Sequence, residues 1–349
     1  MNTKHFIVDR DKPDFRVLAE AAAVLRQGGL VAFPTETVYG LGANGLDPRA
    51  VLKIFAAKGR PADNPLILHI AEPHEVNKLA ARVPANAAAL MARYWPGPLT
   101  VVLARTRLVP DAATAGLDTV AIRLPESTVA RELIRLAGVP IAAPSANTSG
   151  RPSPTTAQDV LADMDGRIEV VVDAGPCDIG VESTVVDCTT PVPTLLRPGG
   201  VTLEMLMETL GEVEVDPALG GEHVVPRAPG MKYTHYAPAA PMTLYEGATA
   251  AVSAALADEA GRLVAAGRRT GAVVTAETAR RLPPAAVAAV YGDRGDLEAA
   301  AANLYSALRH FDAAPVDVIL AEGVGEAGLG LAVMNRMRKA AGYKIIHCE

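Results

Sequence analysis

Between residues 31 and 70 the chain sets hydroxyls, carboxylates, glycines, cations and side-chain amides among short apolar runs: VAFPTETVYGLGANG, then KGRPADNP, then LILHI. Backbone amides, hydroxyls and cations gathered in this way are what a polyphosphate requires. Lys58, Arg60 and Asn64 fall within seven residues. Cations at a helix C-terminus suit the macrodipole and need no further role. An amide in the same loop, just beyond TETVYG, turns the group into a good clamp for a triphosphate. In PLILHI and TVAIRLP, strand alternation separates His69 from Leu66, Leu68 and Ile70, and Arg123 from Val120, Ile122 and Leu124. Both polar residues are therefore expected to leave the core. An arginine there can hold a carboxylate bidentately, with a neutral histidine as hydrogen-bonding neighbour; a structural histidine is the plainer alternative.

APSANTSGRPSPT presents Ser145, Asn147, Ser149 and Ser153 just after an apolar strand, and VESTVV and LLRPG repeat the design with Ser183, Thr184 and Arg197. Ordinary turn chemistry also accounts for such residues. Neither G-x-S-x-G nor SxxK surrounds Ser145, so it reads as a hydrogen-bonding group and not as a nucleophile. No cluster has recognisable metal-ligand spacing. Gly40, Gly42 and Gly45 satisfy G-x-G-x-x-G, but the helix that this fingerprint should open begins only at Asp47. The acid about 20 residues on, Asp63, lies in a proline-containing loop. These glycines are read as turn-formers.

The elements that must position these groups alternate up to about residue 205, short apolar strands with helical patterns, which predicts an α/β domain on a twisted, mixed sheet. Phe15, Leu18, Ala22 and Leu25 keep helical spacing up to a stop at Gly28-Gly29. Asp47-Pro48 is an N-cap followed by a proline at the first helical position, with Val51, Ile54 and Phe55 inward, and Ser127 and Gly138 bracket a further helix. Strands are predicted at 30–33, 66–70, 99–104, 119–124, 140–143, 169–172, 183–187 and 194–196. Residues 206–240 loosen into acidic, glycine- and proline-containing sequence ending in APGMKYTHYAPAAP, a linker. A smaller α/β unit over 241–349 follows. It contains MTLYEG, an alanine-rich helix striped by Val252, Leu256 and Leu263, GAVVTA, a helix around 297–311, VDVILAEG and GLAVMNRMRKAAG.

A chain of 349 residues exceeds one ordinary core, and 50% hydrophobic with 21% charged residues is globular composition. No apolar run reaches the roughly 18 residues of a membrane helix, and the start MNTKHFIVDRDKPDF is no signal peptide. Cys177, Cys188 and Cys348 are odd in number and lack CxxC spacing, so neither a disulfide framework nor a zinc knuckle is indicated, and a cytoplasmic location is expected. The net charge is −6, and residues 1–205 carry 20 Lys+Arg against 22 Asp+Glu, which leaves no bulk basic field to hold nucleic acid.

Taken together, PTETVYGLGAN, KGRPADNPLILHI, WPGPLTVVL, TAGLDTVAIRLP, PIAAPSANTSGRPSPT, GVESTVVD and LLRPGG closely resemble the YrdC/Sua5 family. GMKYTHYAP with GLAVMNRMRKAAG resembles its longer Sua5 type. The resemblance implies a YrdC-like twisted, mixed, open sheet with flanking helices over 1–205, a linker and active-site lid over 206–240, and a Rossmann-like C-terminal domain over 241–349. It implies a threonylcarbamoyl-AMP synthase, which joins L-threonine, bicarbonate and ATP and releases pyrophosphate. Downstream proteins then carry the threonylcarbamoyl group to tRNA, so the chain would meet tRNA only indirectly, and no membrane.

Carried over residue by residue, Thr35, His69, Arg123 and Ser183 would hold threonine. Asn64, Thr119, Ser145, Asn147, Ser153, Arg197 and Tyr236 would surround ATP. Lys58 and Arg60, at an exposed helix end, would neutralise the phosphates as the catalytic cations. Mg²⁺ would arrive with ATP, largely water-ligated, and no organic cofactor is expected. Lys232, Tyr233, His235 and Tyr236 give the linker the charge and aromatic area of a lid that keeps water from an adenylate. Two other classes compete. A double-stranded RNA-binding module without synthase activity would need a local basic face, and 4% aromatic residues with no RNP or KH-type signature do not favour it. A carbamoyltransferase of hydrogenase-maturation type shares the YrdC-like domain but joins it to acylphosphatase and zinc-finger segments that this sequence lacks.

Overall fold

Apolar runs bounded by glycine, proline and polar residues pair into extended structure in both halves of the chain. The computed structural model describes residues 2–220 and 235–349. They form two units, one of residues 2–149 with 153–220, the other of residues 150–152 with 235–349.

Among the described residues, the first unit holds eleven strands. They are β1 (Lys4–Ile7), β2 (Val31–Phe33), β3 (Gly40–Asn44), β4 (Ile67–His69), β5 (Leu99–Ala104), β6 (Thr119–Arg123), β7 (Ile141–Ala142), β8 (Val170–Asp173), β9 (Thr184–Asp187), β10 (Thr194–Arg197) and β11 (Glu214–Val215). Their order in the sheet is β1-β8-β2-β3-β7-β4-β6-β5-β9-β10-β11. β4 runs parallel to β6 and β5 to β9, whereas β5 is antiparallel to β6 and β9 to β10, so the sheet is mixed. Helices Phe15–Arg26 and Thr128–Ala137 supply Leu18, Leu25, Leu133 and Ile134 to a core with Val31, Phe33, Val170 and Val172. Phe15 begins the first of these helices but is exposed. Asp14 and Ser127 cap the two N-termini through the amides of Arg16 and Ala130, and Gly138 ends the second with φ 70.

Register prepares the site. His69 pairs with Arg123 across β4 and β6, and Arg123 with Thr100 across β6 and β5, which puts three polar residues in one row on one face.

Three strands of this unit are not among those expected from the sequence: β1, β3 and β11. β3 is GLGAN, almost without β-propensity, and it exists because it lies between β2 and β7. A Cβ on Gly42 would sit 2.8 Å from both the Phe33 ring and Ile141, and one on Gly45 would sit 2.7 Å from Leu68 and 2.8 Å from the Pro140 carbonyl oxygen. Neither residue has positive φ. The expectation that these glycines form turns holds for Gly45, which opens the turn after β3, and is corrected for Gly40 and Gly42, which lie within the strand; at Gly42 and Gly45 close approach of neighbouring strands and side chains excludes any larger residue.

The second unit is a five-stranded, all-parallel, Rossmann-like sheet. Its strands are β12 (Met242–Gly247), β13 (Thr270–Thr275), β14 (Val287–Gly292), β15 (Val318–Glu322) and β16 (Ile345–Cys348), in the order β14-β13-β15-β12-β16. Helices Thr249–Ala265, Leu297–Ala313 and Gly330–Ala340 lie among the crossovers that parallel neighbours require. The alanine-rich helix packs Val252, Leu256 and Leu263 against Tyr245, Ala272, Val274 and Leu320, as its stripe predicts. β14 and β16 are additions to the sequence expectation. No helix among the described residues is long and apolar enough to cross a membrane.

Gly45→Ala should lower stability by about 1–3 kcal/mol, because the Pro140 backbone cannot yield as a flexible side chain would. The midpoint of chemical denaturation checks this, and an unchanged midpoint would show that packing does not demand a glycine there.

Candidate active site

Arg123 ends β6 and is only 4% exposed, and a guanidinium so far removed from water must be paired. Its Nη2 donates to Glu36 Oε1 at 2.6 Å, its Nη1 to Thr37 Oγ1 at 2.9 Å and its Nε to the Gly97 carbonyl at 3.3 Å. Glu36, also buried, accepts the Glu126 amide on its other oxygen at 3.1 Å. The fork expected to lie open is thus anchored from inside by the PTET loop. Of its five N–H donors, two have no partner among the described residues. Thr35 shapes the same loop: its Oγ1 donates to the Val38 carbonyl at 2.7 Å and lies 2.8 Å from Thr37 Oγ1.

His69 stands beside Arg123 in register and is equally buried. Both residues leave the apolar core, as expected, but not into solvent. Burial, and then the Arg123 charge, push the His69 pKa down to about 3, so the imidazole is neutral. Its Nδ1 is buried and has no hydrogen-bond partner among the described residues. Continuing the row, Thr100 Oγ1 lies 2.8 Å from Ser183 Oγ. Arg197, at the end of β10, donates from Nε to the Ser183 carbonyl at 3.0 Å and from Nη2 to Ser183 Oγ at 3.2 Å. Ser153 donates to Glu182 Oε1 at 2.5 Å, both groups buried.

Lys58 corrects the expectation of an exposed helix end: it is 2% exposed. The helix Pro48–Lys58 stops at Gly59, φ 62, and the reversed chain lets the loop after β7 close over its last turn, with the Ser149 amide 2.9 Å from the Lys58 carbonyl. Nζ donates to the carbonyls of Ser145 and Asn147 and lies 3.5 Å from Asn147 Oδ1. Ser145 Oγ in turn donates to Asn147 Oδ1 at 2.5 Å. Arg60 is half-buried, its Nη2 3.3 Å from the carbonyls of Asn64 and Pro65, which braces the intervening loop. Asn64 is buried, and its Oδ1 has no hydrogen-bond partner among the described residues.

The candidate residues fall into three groups: Arg123 beside His69, with Thr35 linked to Arg123 through Thr37; Ser183 with Arg197; and Lys58 with Ser145 and Asn147. Thr119 stands apart. It begins β6, four residues or about 13 Å along the strand from Arg123, beside Pro65 and Leu66. Tyr236 belongs to the second unit, where it is buried with its ring 5.3 Å from that of Tyr305 and 6.0 Å from the Arg336 guanidinium. Of the expected linker and lid over 206–240, residues 221–234, including Lys232 and Tyr233, lie outside the described residues. Sequence reasoning did not assign Glu36, Thr37, Thr100 or Glu182 to the site. An acid inside PTET, and another directly before Ser183 in an otherwise apolar stretch, were the available signals. Among the described residues, no group of three or more His, Cys, Asp or Glu is arranged to hold a metal ion.

A YrdC-like mixed sheet with polar loops at its strand ends, followed by a Rossmann-like unit, defines the long Sua5 class of α/β proteins. The Sua5/YciO/YrdC family model, described as telomere recombination, matches residues 23–199, and a model described as threonylcarbamoyl-AMP synthase, C-terminal domain, matches residues 201–342. The chain is 51% identical to the threonylcarbamoyl-AMP synthase of Pyrococcus abyssi over 93% of this chain and 94% of that protein. It is 48% identical to that of Bacillus subtilis over 99% of this chain and 100% of the relative. The solved structure of P. abyssi Sua5 complexed with L-threonine matches with a TM-score of 0.95 and 49% identity, covering 99% of this chain and 100% of that one. The chain belongs to this family of nucleotidyltransferase-type enzymes.

Neutral His69 makes stability depend on pH. Its folded pKa lies below the ordinary 6.5, so the unfolded chain binds more protons between 6.5 and about 3. Its contribution is complete above pH 6.5 and is lost as pH falls through that window. Denaturation midpoints measured between pH 6.5 and 5 should fall less steeply in His69→Gln, by up to about 1.4 kcal/mol per pH unit. Parallel slopes in the two proteins would mean that the imidazole charges in place.

Proposed function

We propose that the chain is an L-threonylcarbamoyladenylate synthase, condensing L-threonine, bicarbonate and ATP into threonylcarbamoyl-AMP with release of pyrophosphate, for the threonylcarbamoyladenosine modification of tRNA. The observation that carries this reading is the buried Arg123, held by Glu36 and Thr37 beside a neutral His69, in a chain that matches a threonine complex along its length.

The two remaining N–H donors of Arg123 would take the threonine carboxylate, with the hydroxyls of Thr35 and Ser183 completing its hydrogen bonds. Neutral His69 accepts from an amine or hydroxyl, where an imidazolium would repel the amine. The threonine amine attacks the bicarbonate carbon, water leaves and a carbamate forms. A carbamate oxygen then attacks the α-phosphorus, the bond from that phosphorus to the β-bridging oxygen breaks, and pyrophosphate departs. Lys58, Arg60 and Arg197 would offset the charge on the phosphates, and Asn64, Thr119, Ser145, Asn147 and Ser153 would hold the rest of ATP. Mg²⁺ carried in with the nucleotide would add to the charge that Lys58, Arg60 and Arg197 place against the phosphates. No step needs a protein nucleophile; the chain supplies orientation and charge placed in advance. The product then passes to the proteins that act on tRNA.

Pyrophosphate release by the full chain should require threonine and bicarbonate together, and equal ATP turnover with either one omitted would end this reading. Arg123→Ala should raise the KM for threonine far more than that for ATP. Because Lys58 is buried, Lys58→Met is the fitting variant, similar in length but uncharged. It should cut kcat at least tenfold, about 1.4 kcal/mol of transition-state stabilisation, with circular dichroism reporting an intact fold.

A further inference from the structure

A second G-x-G-x-x-G, made by Gly323, Gly325 and Gly328, has the context that Gly40, Gly42 and Gly45 lack. It follows β15 directly, and the helix Gly330–Ala340 begins two residues beyond it. β15 is the middle strand of five. The chain leaves β13 toward β14 on one side and leaves β15 toward β16 on the other, so the carboxyl ends of adjacent β13 and β15 flank the crevice where parallel α/β sheets hold ligands. A cavity of about 360 Å³ opens there, and Gly323, Gly325, Thr275, Glu322, Glu246 and Arg294 are among its walls.

The glycines answer to different constraints. A Cβ on Gly323 would come within 3.0 Å of the Tyr245 carbonyl oxygen, and one on Gly330 within 1.7 Å of the Gly325 carbonyl oxygen, so both permit close packing of loop, strand and helix. Gly325 has no such reason: its φ is not in the left-handed region, and a Cβ there would meet nothing within 4 Å. Bare backbone beside a cavity is what close approach of a phosphate needs. The helix Thr249–Ala265, whose first residue lines the same cavity, has no side-chain N-cap.

The polar side chains suit the same class of ligand. Tyr245 pairs with Glu322, which brings Glu246, near the end of the adjacent β12, level with Gly323. A carboxylate at the end of a neighbouring strand is the group that takes ribose hydroxyls in dinucleotide-binding sheets. Arg338 holds Glu246 at 2.8 and 3.0 Å and also pairs with Glu326, so neither acid confronts a phosphate as an isolated charge. Glu322 accepts the amide and hydroxyl of Thr275 at 2.8 and 2.9 Å and the Thr278 hydroxyl at 3.0 Å. Arg294, its side chain 41% exposed and its Nη2 3.8 Å from Glu322 Oε1, supplies a cation on the wall that this long contact leaves largely turned to the cavity.

From this arrangement we propose that the C-terminal unit binds a nucleoside phosphate, with its ribose toward Glu246 and its phosphate on the Gly325 backbone and Arg294. The site is separate from the ATP site assigned to the first unit. Calorimetric titration of the full chain with ADP should give two sites per chain. Gly325→Leu, which fills the cavity, should remove one of them, and Arg294→Ala should weaken the same one at least tenfold, while pyrophosphate release stays at the wild-type rate in both. The 2′,3′-dideoxy form of ADP should bind this site at least tenfold more weakly than ADP. No ADP bound by the wild-type chain overturns the proposal, as does ADP binding by Gly325→Leu indistinguishable from wild type. These titrations do not depend on turnover, so failure of the synthase reading would appear separately, as pyrophosphate release that ignores threonine and bicarbonate.

Discussion

Glu36 and Arg123 meet 2.6 Å apart with almost no access to water, and the polar end of the first sheet is organised around that pair. Removing both charges from water costs several kcal/mol per ion, which their attraction offsets only when the geometry is good and the remaining donors are satisfied. The Glu126 amide, the Thr37 hydroxyl and the Gly97 carbonyl supply those partners. A lone buried charge would cost about 3–5 kcal/mol, so the loop after β2 is bound to close on the end of β6. The backbone turn around Thr35 and the neutral state of His69 follow from that closure and from the charge it fixes in place.

Mixed strand direction makes the gathering possible. β4 and β6 run parallel and finish at His69 and Arg123, while β5, antiparallel to β6, begins where β6 ends and so delivers Thr100 to the same row. β9 starts directly after Ser183, within reach of Thr100 and of Arg197 from β10. Lys58 obeys the same rule as Arg123 by another route. Its ammonium is taken from water and receives the carbonyl oxygens of Ser145 and Asn147 in exchange, which ties the end of a helix to the loop after β7.

One glycine spacing occurs twice in this chain with opposite physical meanings. Around Gly42 and Gly45 it reflects crowding, since neighbouring strands and side chains leave no room for a Cβ. At Gly325 it reflects vacancy, a backbone left uncovered beside a cavity at the carboxyl ends of a parallel sheet. The pattern acquires significance only from the strand before it and the helix after it.

What the sequence by itself determined was local. The caps at Asp47 and Ser127, the glycine stop at Gly138, the apolar stripes of the helices and most strands of both sheets were legible, because hydrogen bonds and periodicities within a few residues decide them. The motif residues around the site were legible for the same reason, as polar types set at strand ends. The tertiary structure alone decided that β3, a glycine-rich segment, is a strand, that Lys58 is buried, and that Arg123 is anchored by a carboxylate 87 residues away. Desolvation, and the partner that answers it, depend on which distant segment the fold brings near, and that distance in sequence carries no local signal.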